Sequence, residues 1–382
     1  MKQVRHVAVL VETSRSYGRG VLRGVARYNR EHGRWSTYFR PHGLGDPVPA
    51  WLKNWKGDGI LARIDNRRTA NAILASGVPV VNLRGTLGEL QFPFVGTNNR
   101  EVAQLGADHL LGRGFRNLAF CGYRPGFHSG FDERCREFRR LIEEAGCHCH
   151  LYCRPSAKTW EQQEERLGQW IQELPKPVAI MACNDDRGLE ILDACHRKDI
   201  AVPDDVAVLS VDNDEYLCEM AIPALSSIAL NLERIGYEAA ALLDRLMSGR
   251  PAPKQPKEIG PRGVVVRHST DVLAIEDPDV AQAVRFIRHH ACEGLHLADV
   301  VEQVLVSRST LAPRFKNLLG RTIYQEIRRV QVERAKELLA GTSLPIKHVA
   351  REAGFRDVQY LTRAMGALAG QTPAAYRQMM QG

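Results

Sequence analysis

One pattern occurs twice in the last hundred residues: a short apolar-faced helix, a tight turn, and a second helix with one apolar side. The clearer copy runs from Ile346 to Arg363. An Ile/Val/Ala face marks its first helix, Gly354 supplies the positive φ that a tight interhelical turn needs, and Asp357 is placed to cap the second helix. Spacing of i, i+4, i+7 puts Leu361, Met365 and Leu368 on the buried side. Gln359, Thr362 and Arg363 then share the opposite face. Gln and Arg pair bidentately with adenine and guanine edges, so this helix is suited to reading bases in a major groove.

The earlier copy is barer. Leu297–Val301 forms a first helix, and Ser307 caps a second that carries Leu311, Phe315 and Leu318 on its apolar side. Leu305 stands where the turn glycine is expected. Pro313 falls inside the second helix, where proline costs about 3 kcal/mol unless the helix bends. Ala312 and Pro313 read no bases, so the DNA contacts expected here, from Arg308, Ser309, Arg314 and Lys316, go mainly to phosphates, which position without specifying. The two units cover about 297–318 and 345–367. Between them Thr322–Leu339 keeps apolar residues at 323, 327, 330, 334/335 and 338. A helix of that length is about 25 Å, able to hold two reading helices roughly one DNA turn apart, about 34 Å. Charge agrees with a polyphosphate partner: from residue 281 onward there are 15 Lys/Arg against 8 Asp/Glu, while the whole chain is +8.

Two further signatures flank these units. Gly370-x-Thr372-Pro373-x-x-Tyr376-Arg377 closes the second, and Ser307-Arg308-x-Thr310-Leu311-x-x-Arg314-Phe315-Lys316-x-x-x-Gly320 runs through the first. Both resemble an AraC-type DNA-binding domain, over about residues 280–380. The resemblance implies a double-stranded DNA operator as partner.

The remaining residues alternate short apolar runs with helical stretches. Val7–Val11, Gly59–Ala62, Val78–Asn82, Leu118–Cys121, Val178–Met181 and Val206–Val211 read as strands; 18–32, 101–113, 133–145 and 187–198 read as helices. Apolar strands without polar alternation imply parallel sheets covered on both faces, an α/β fold. Ligands in such folds bind beyond the carboxyl ends of the strands. The polar groups there are Ser14, Tyr17, Asp65, Asn98/Asn99, Arg134, Asn184, Asp185 and Asp212. Carboxylates and guanidinium groups of this kind give charge-assisted hydrogen bonds to a small polyol. Few aromatic residues stand near the strand ends, which counts against a stacked planar base.

Several chemistries are not expected. Gly18-x-Gly20-x-x-x-Gly24 has the wrong spacing for a dinucleotide fingerprint, and no cofactor is foreseen. Alternation along Cys147–Cys153 sends Cys147, Cys149, Leu151 and Cys153 to one face and His148 and His150 to the other, which argues against a metal site. No paired nucleophile and base suggests an enzyme. No secretion signal and no run of about 20 apolar residues is present, so the expectation is a cytoplasmic protein with reduced thiols and no membrane span.

Met181–Asp185, Ile200–Asn213 and Pro223–Ile228 resemble the C-terminal lobe of LacI-type, periplasmic-binding-protein-like sensors. Arg134-Cys135-Arg136-Glu137-Phe138 is similar to that family's Arg-x-x-Gly-Phe, with Glu137 in place of glycine; the arginine there holds sugar hydroxyls. A two-lobe sensor followed by an AraC-type domain resembles the xylose operon regulatory protein group. That resemblance implies a pentose effector, D-xylose first, a homodimer, and RNA polymerase as a further contact. A sensor of the same build for another sugar or a nucleoside stays open. The boundaries expected are 1–272 for the sensor, 273–279 for a linker and 280–382 for the DNA unit, with Asp279 capping a helix Val280–His290.

Overall fold

The computed structural model describes residues 4–381 other than 33–34, 42, 44–45, 47–48, 65, 86–91, 154–158 and 272–276. The chain divides into two compact units, Met1–Val272 and Leu273–Gly382.

The first unit holds twelve described strands: β1 (Arg5–Leu10), β2 (Trp35–Phe39), β3 (Gly59–Ala62), β4 (Val80–Asn82), β5 (Val95–Thr97), β6 (Asn117–Gly122), β7 (His148–Cys153), β8 (Val178–Ala182), β9 (Val206–Asp212), β10 (Ser226–Ala229), β11 (Lys257–Ile259) and β12 (Gly263–Val265). Its longer helices are α1 (Ser16–His32), α2 (Arg67–Leu74), α3 (Asn99–Leu111), α4 (Ser129–Glu144), α5 (Trp160–Glu173), α6 (Asp185–Arg197), α7 (Glu215–Met220) and α8 (Leu232–Met247). One lobe is built on the parallel sheet β2-β1-β3-β4, the other on β12-β10-β9-β8-β6-β7, and β5 pairs with β11. The strands β1, β3, β8 and β9 are buried almost throughout, as unalternating apolar runs require.

The sheets are not wholly parallel. β12 pairs antiparallel with β10, Gly263 opposite Ala229. The chain re-enters the sheet at the end where β10 leaves it, so β12 must run the other way. Three connections join the lobes: β5 to α3, β10 to α8, and β11 to β12.

Two glycines of the false dinucleotide pattern, Gly20 and Gly24, serve helix packing, and the third, Gly18, lies against the Glu12 carbonyl. A Cβ on Gly24 would stand 1.9 Å from the Glu233 carbonyl oxygen, and one on Gly236 1.9 Å from that of Val21. α1 and α8 therefore touch backbone to backbone, which only glycine permits. The Cys147–Cys153 stretch also departs from simple alternation. Cys149 and Tyr152 are buried, while Leu151 and Cys153 are exposed, because β7 is an edge strand covered only in part. Among the described residues no cysteine is in a disulfide and no three His, Cys, Asp or Glu side chains converge on a metal-sized site. Among the described residues no helix is long and apolar enough to cross a membrane.

The second unit is helical: α9 (Pro278–His290), α10 (Leu297–Val304), α11 (Arg308–Leu319), α12 (Ile323–Gly341), α13 (Ile346–Glu352), α14 (Val358–Ala369) and α15 (Pro373–Gln381). The cap of α9 is Asp277, which accepts from the backbone N–H groups of Asp279 and Val280. Asp279 lies inside the first turn instead, because Pro278, lacking an N–H, takes the first helical position. Two small cores flank α12. Ile323 and Ile327 pack with Val300, Leu311 and Phe315; Val332, Ala335 and Leu339 pack with Val349, Leu361 and Met365. One helix thus serves as a wall of both.

Candidate functional site

The cleft between the lobes closes over a cavity of about 160 Å³. The first lobe contributes Tyr17 on α1 and Arg63, the first residue beyond β3. The second contributes Asn99, Arg134, Asp185 and Asp212. Tyr17 donates its hydroxyl to the Leu83 carbonyl at 3.3 Å, and the Arg63 guanidinium lies 4.7 Å from its ring. Arg63 pairs with the buried Glu12.

Arg134 is 3% exposed. Its guanidinium donates to the Cys183 carbonyl and, at 2.9 Å, to the Asn99 side-chain oxygen, while its Nε has no partner among the described residues. Asn184 caps α6 by accepting from the Arg187 N–H. Asp185 lines the cavity, but both its oxygens are already engaged. Ser210 and Ser227 donate to Oδ1, the latter at 2.6 Å, and the Asp214 N–H donates to Oδ2 at 2.6 Å. Its role is to fix the start of α6 against the loop after β9.

Asp212 is different. It ends β9 at φ 113, and Asn213 follows at φ 52, two non-glycine residues in the left-handed half of backbone space. Such strain is held where the surroundings over-determine it. Here the Asn213 N–H donates to Ser227 Oγ at 3.0 Å and its side-chain oxygen accepts from Arg267 at 2.9 Å. Among the described residues nothing hydrogen-bonds the Asp212 carboxylate. Burial, then the neighbouring Asp185, pushes its carboxyl up to about 8, against the pull of Arg134 and Arg63.

The other sequence candidates fall elsewhere. Ser14 is exposed and lines the outer mouth, with Ser16 taking the place inside. Asp65 lies outside the described residues. Aromatic rings, expected to be scarce, form one wall: Tyr123 and Phe127 have centroids 4.7 Å apart, and Tyr123 and Phe131 stack at 5.9 Å. Across the mouth, Arg15 of the first lobe pairs with Asp186 of the second, and Arg19 stands 3.6 Å from Asp214.

In the helical unit, Asp357 caps α14 by accepting from the N–H groups of Gln359 and Tyr360. Leu361 and Met365 are buried, but Leu368 is 51% exposed, since the last turn of α14 runs past its partners. Gln359 and Arg363 are exposed on the far side, with Thr362 half-buried and its hydroxyl donating to the Val358 carbonyl at 2.8 Å. In the first unit Leu305 takes φ 58 in the turn, and α11 runs through Pro313. Leu319, not Leu318, completes its buried side. Arg308, Ser309 and Lys316 are exposed. Arg314 instead ties α11 to the start of α9, pairing with Asp279 at 2.9 Å and Asp277 at 3.5 Å.

The chain is 31% identical to the xylose operon regulatory protein of Escherichia coli strain K12, over 98% of this chain and 97% of that one. It belongs to the xylose operon regulatory protein family. The Haemophilus influenzae member is 29% identical, over 98% of this chain and 99% of that one. A solved structure described as the xylose-binding transcription activator XylR superposes with a TM-score of 0.81 at 30% identity, covering 99% of both chains. Three family models match: an XylR N-terminal domain over residues 6–100, a periplasmic binding protein-like domain over 107–270 and a helix-turn-helix domain over 300–379. The chain is therefore a DNA-binding, sugar-sensing transcription regulator.

For this member of the family, Arg63, Arg15 and Asp186 are among the cavity residues that escaped the sequence reading. Arg63 satisfies the strand-end rule better than Asp65 does, and could have been found by it. Arg15 and Asp186 carry no local signal, being 171 residues apart and brought together only by the way the two lobes face each other.

Proposed function

We propose that this regulator senses D-xylose in the interlobe cavity, acts in the cytoplasm as a homodimer, and controls genes of pentose catabolism. The observation that carries the ligand class is the unengaged Asp212 carboxylate in a cavity that also holds Arg134. Vicinal hydroxyls would donate to the carboxylate and accept from the guanidinium, with the Tyr123 and Phe131 faces against the sugar's C–H side. Four arginines and four aspartates line the cavity, groups able to donate to and accept from the hydroxyls of a small polyol. The names of the relatives supply xylose.

The mechanism follows from differential binding. A ligand that bonds both lobes stabilises the arrangement in which Arg15 meets Asp186, and shifts the equilibrium by no more than its preference for that arrangement. Gln359, Thr362 and Arg363 read bases, while Arg308, Ser309 and Lys316 hold the backbone. The solved relative is described as an activator, and by that likeness RNA polymerase is the further contact. Calorimetry of the full chain with D-xylose, arabinose, ribose, glucose and adenosine tests the ligand. Xylose alone binding in the micromolar to millimolar range is the expected result. A preference for adenosine would turn the aromatic wall into a base-stacking site and overturn the xylose assignment.

A further inference from the structure

The two helix-turn-helix units are separated by a groove whose bed is the first half of α12. Tyr324 and Arg328 rise from that helix, and Arg351, Phe355, Arg356 and Tyr360 form the wall from the second unit. The groove has a fixed shape. Gln331, 3% exposed, donates its side-chain amide to the carbonyls of Ala291 at 2.7 Å and Gly354 at 3.1 Å, clamping the second unit and the segment that leads into the first to the linker helix.

Its lining carries Arg328, Arg351 and Arg356 against the single carboxylate of Glu293, which pairs with His290, and the positive charge is in part preorganised. The Arg328 guanidinium lies 5.0 Å from the Tyr324 ring and 5.3 Å from the Phe355 ring. Its Nε donates to the Tyr324 hydroxyl and its NH1 to Gln331 Oε1, both at 2.9 Å. Among the described residues no carboxylate pairs with it. A guanidinium has five donors, so the remaining ones are held ready at little entropic cost. Arg356 makes no ion pair or hydrogen bond among the described residues, and Arg351 meets only the exposed Glu352. Such exposed pairs are weak and readily exchanged.

The groove also continues into the reading surface. Tyr360 sits on α14 next to Gln359, and the Arg363 guanidinium lies 6.0 Å from its ring. The bed, α12, is 19 residues, about 28 Å long. A duplex that offers successive major grooves to α11 and α14 must carry its intervening backbone past the middle of that helix.

We propose that this groove seats the sugar-phosphate backbone between the two major grooves, with Arg328, Arg351 and Arg356 on successive phosphates. The inference rests on the helical unit being a tandem DNA reader. It adds a sequence-independent contact that neither reading helix supplies. The rings of Tyr324 and Phe355 are supports for Arg328, not stacking platforms for bases.

The test uses the full chain with Arg328→Gln, Arg351→Gln and Arg356→Gln. The probes are a 30-base-pair duplex selected by the wild-type protein from a random pool and a random duplex of equal length. Each substitution should weaken both duplexes by the same factor and lower the slope of log affinity against log salt by about one. The ratio of wild-type to variant affinity should then shrink about 3.5-fold between about 50 and 200 mM salt. Unchanged affinity and slope for the variants, with wild-type binding intact, overturns the groove assignment alone. Loss on the selected duplex only would make these arginines base readers and overturn it too. A wild-type chain that selects no duplex would refute the tandem-reader premise itself. Arg351 and Arg356 are exposed, so their variants decide the matter even if Arg328→Gln does not fold.

Discussion

Gly354 lies against Cys292: a Cβ placed on the glycine would stand 2.6 Å from the Cys292 Cα. The turn of the second helix-turn-helix is therefore docked on the segment that leads into the first. Gly354→Ala meets that backbone and also a φ of 77. It should cost more than the ~1 kcal/mol of an ordinary Gly→Ala change at a left-handed position. Specific DNA binding should fall at least tenfold while sugar affinity stays unchanged; equal DNA affinity in a mobility-shift titration would remove the spacing role.

Arg134→Lys keeps the charge but not the two-pronged reach to Cys183 and Asn99. Sugar affinity should fall by about 10- to 100-fold, the loss of one charge-assisted bond of roughly 1.5–3 kcal/mol. Calorimetry checks this, and wild-type affinity in the lysine variant would place Arg134 outside the ligand's contacts.

Asp212 gives a pH signature. Its carboxyl is raised to about 8 by burial and by Asp185, so near pH 7 the empty cavity holds it mostly protonated. A sugar whose hydroxyls donate to it favours the ionised form, so binding should release a proton. Affinity should rise with pH as it approaches about 8, by at most tenfold per unit, and level off above. Titrations in buffers of different ionisation enthalpy measure the proton directly. Asp212→Asn should abolish the linkage along with most of the affinity, and a proton count of zero in the wild type would show that the ligand takes the neutral acid.

Arg363→Ala should relax one base position at a cost of about 1–3 kcal/mol and leave random-sequence binding nearly unchanged. Equal losses on selected and random duplexes would make Arg363 a backbone contact.

His109 predicts acid sensitivity. Burial and the adjacent Arg113 push its imidazole down to about 3, and His128 is lowered in the same direction by burial and by nearby arginines. Between about 3 and 6.5 the unfolded chain takes up a proton that the folded one refuses. Stability is thus complete above about 6.5 and is lost as pH falls below it, by up to about 1.4 kcal/mol per unit for each group. Melting curves at pH 7 and 5 should show the drop, and His109→Gln should shrink it; an unchanged pH dependence in that variant would acquit His109.

What was legible in the sequence was whatever depends on local spacing. The cap at Asp357, the turn at Gly354, the strand runs and the α12 helix all rest on neighbours within a few residues. Leu318 and Leu368 were misplaced because periodicity gives a helical face but not where the facing surface ends. Glu326, fully buried between Arg321 and Arg329, interrupts no apolar pattern that would announce it. In the cleft, strand ends indicated Asp185 and Asp212 and the family resemblance indicated Arg134, yet not that Asp185 would be saturated by Ser210 and Ser227. Those partners are 25 and 42 residues away, and only the sheet brings them in.

The lobes are joined at three places, after β5, β10 and β11. A single joint would leave two bodies able to twist, tilt and slide; three side-by-side joints leave essentially a swing about one line. The sensor then behaves as a needle on a dial. Every ligand that fits moves it along the same arc and differs only in how far it tips the balance. An inactive sugar analogue should therefore populate the same two positions as the true effector, in other proportions, and create no third.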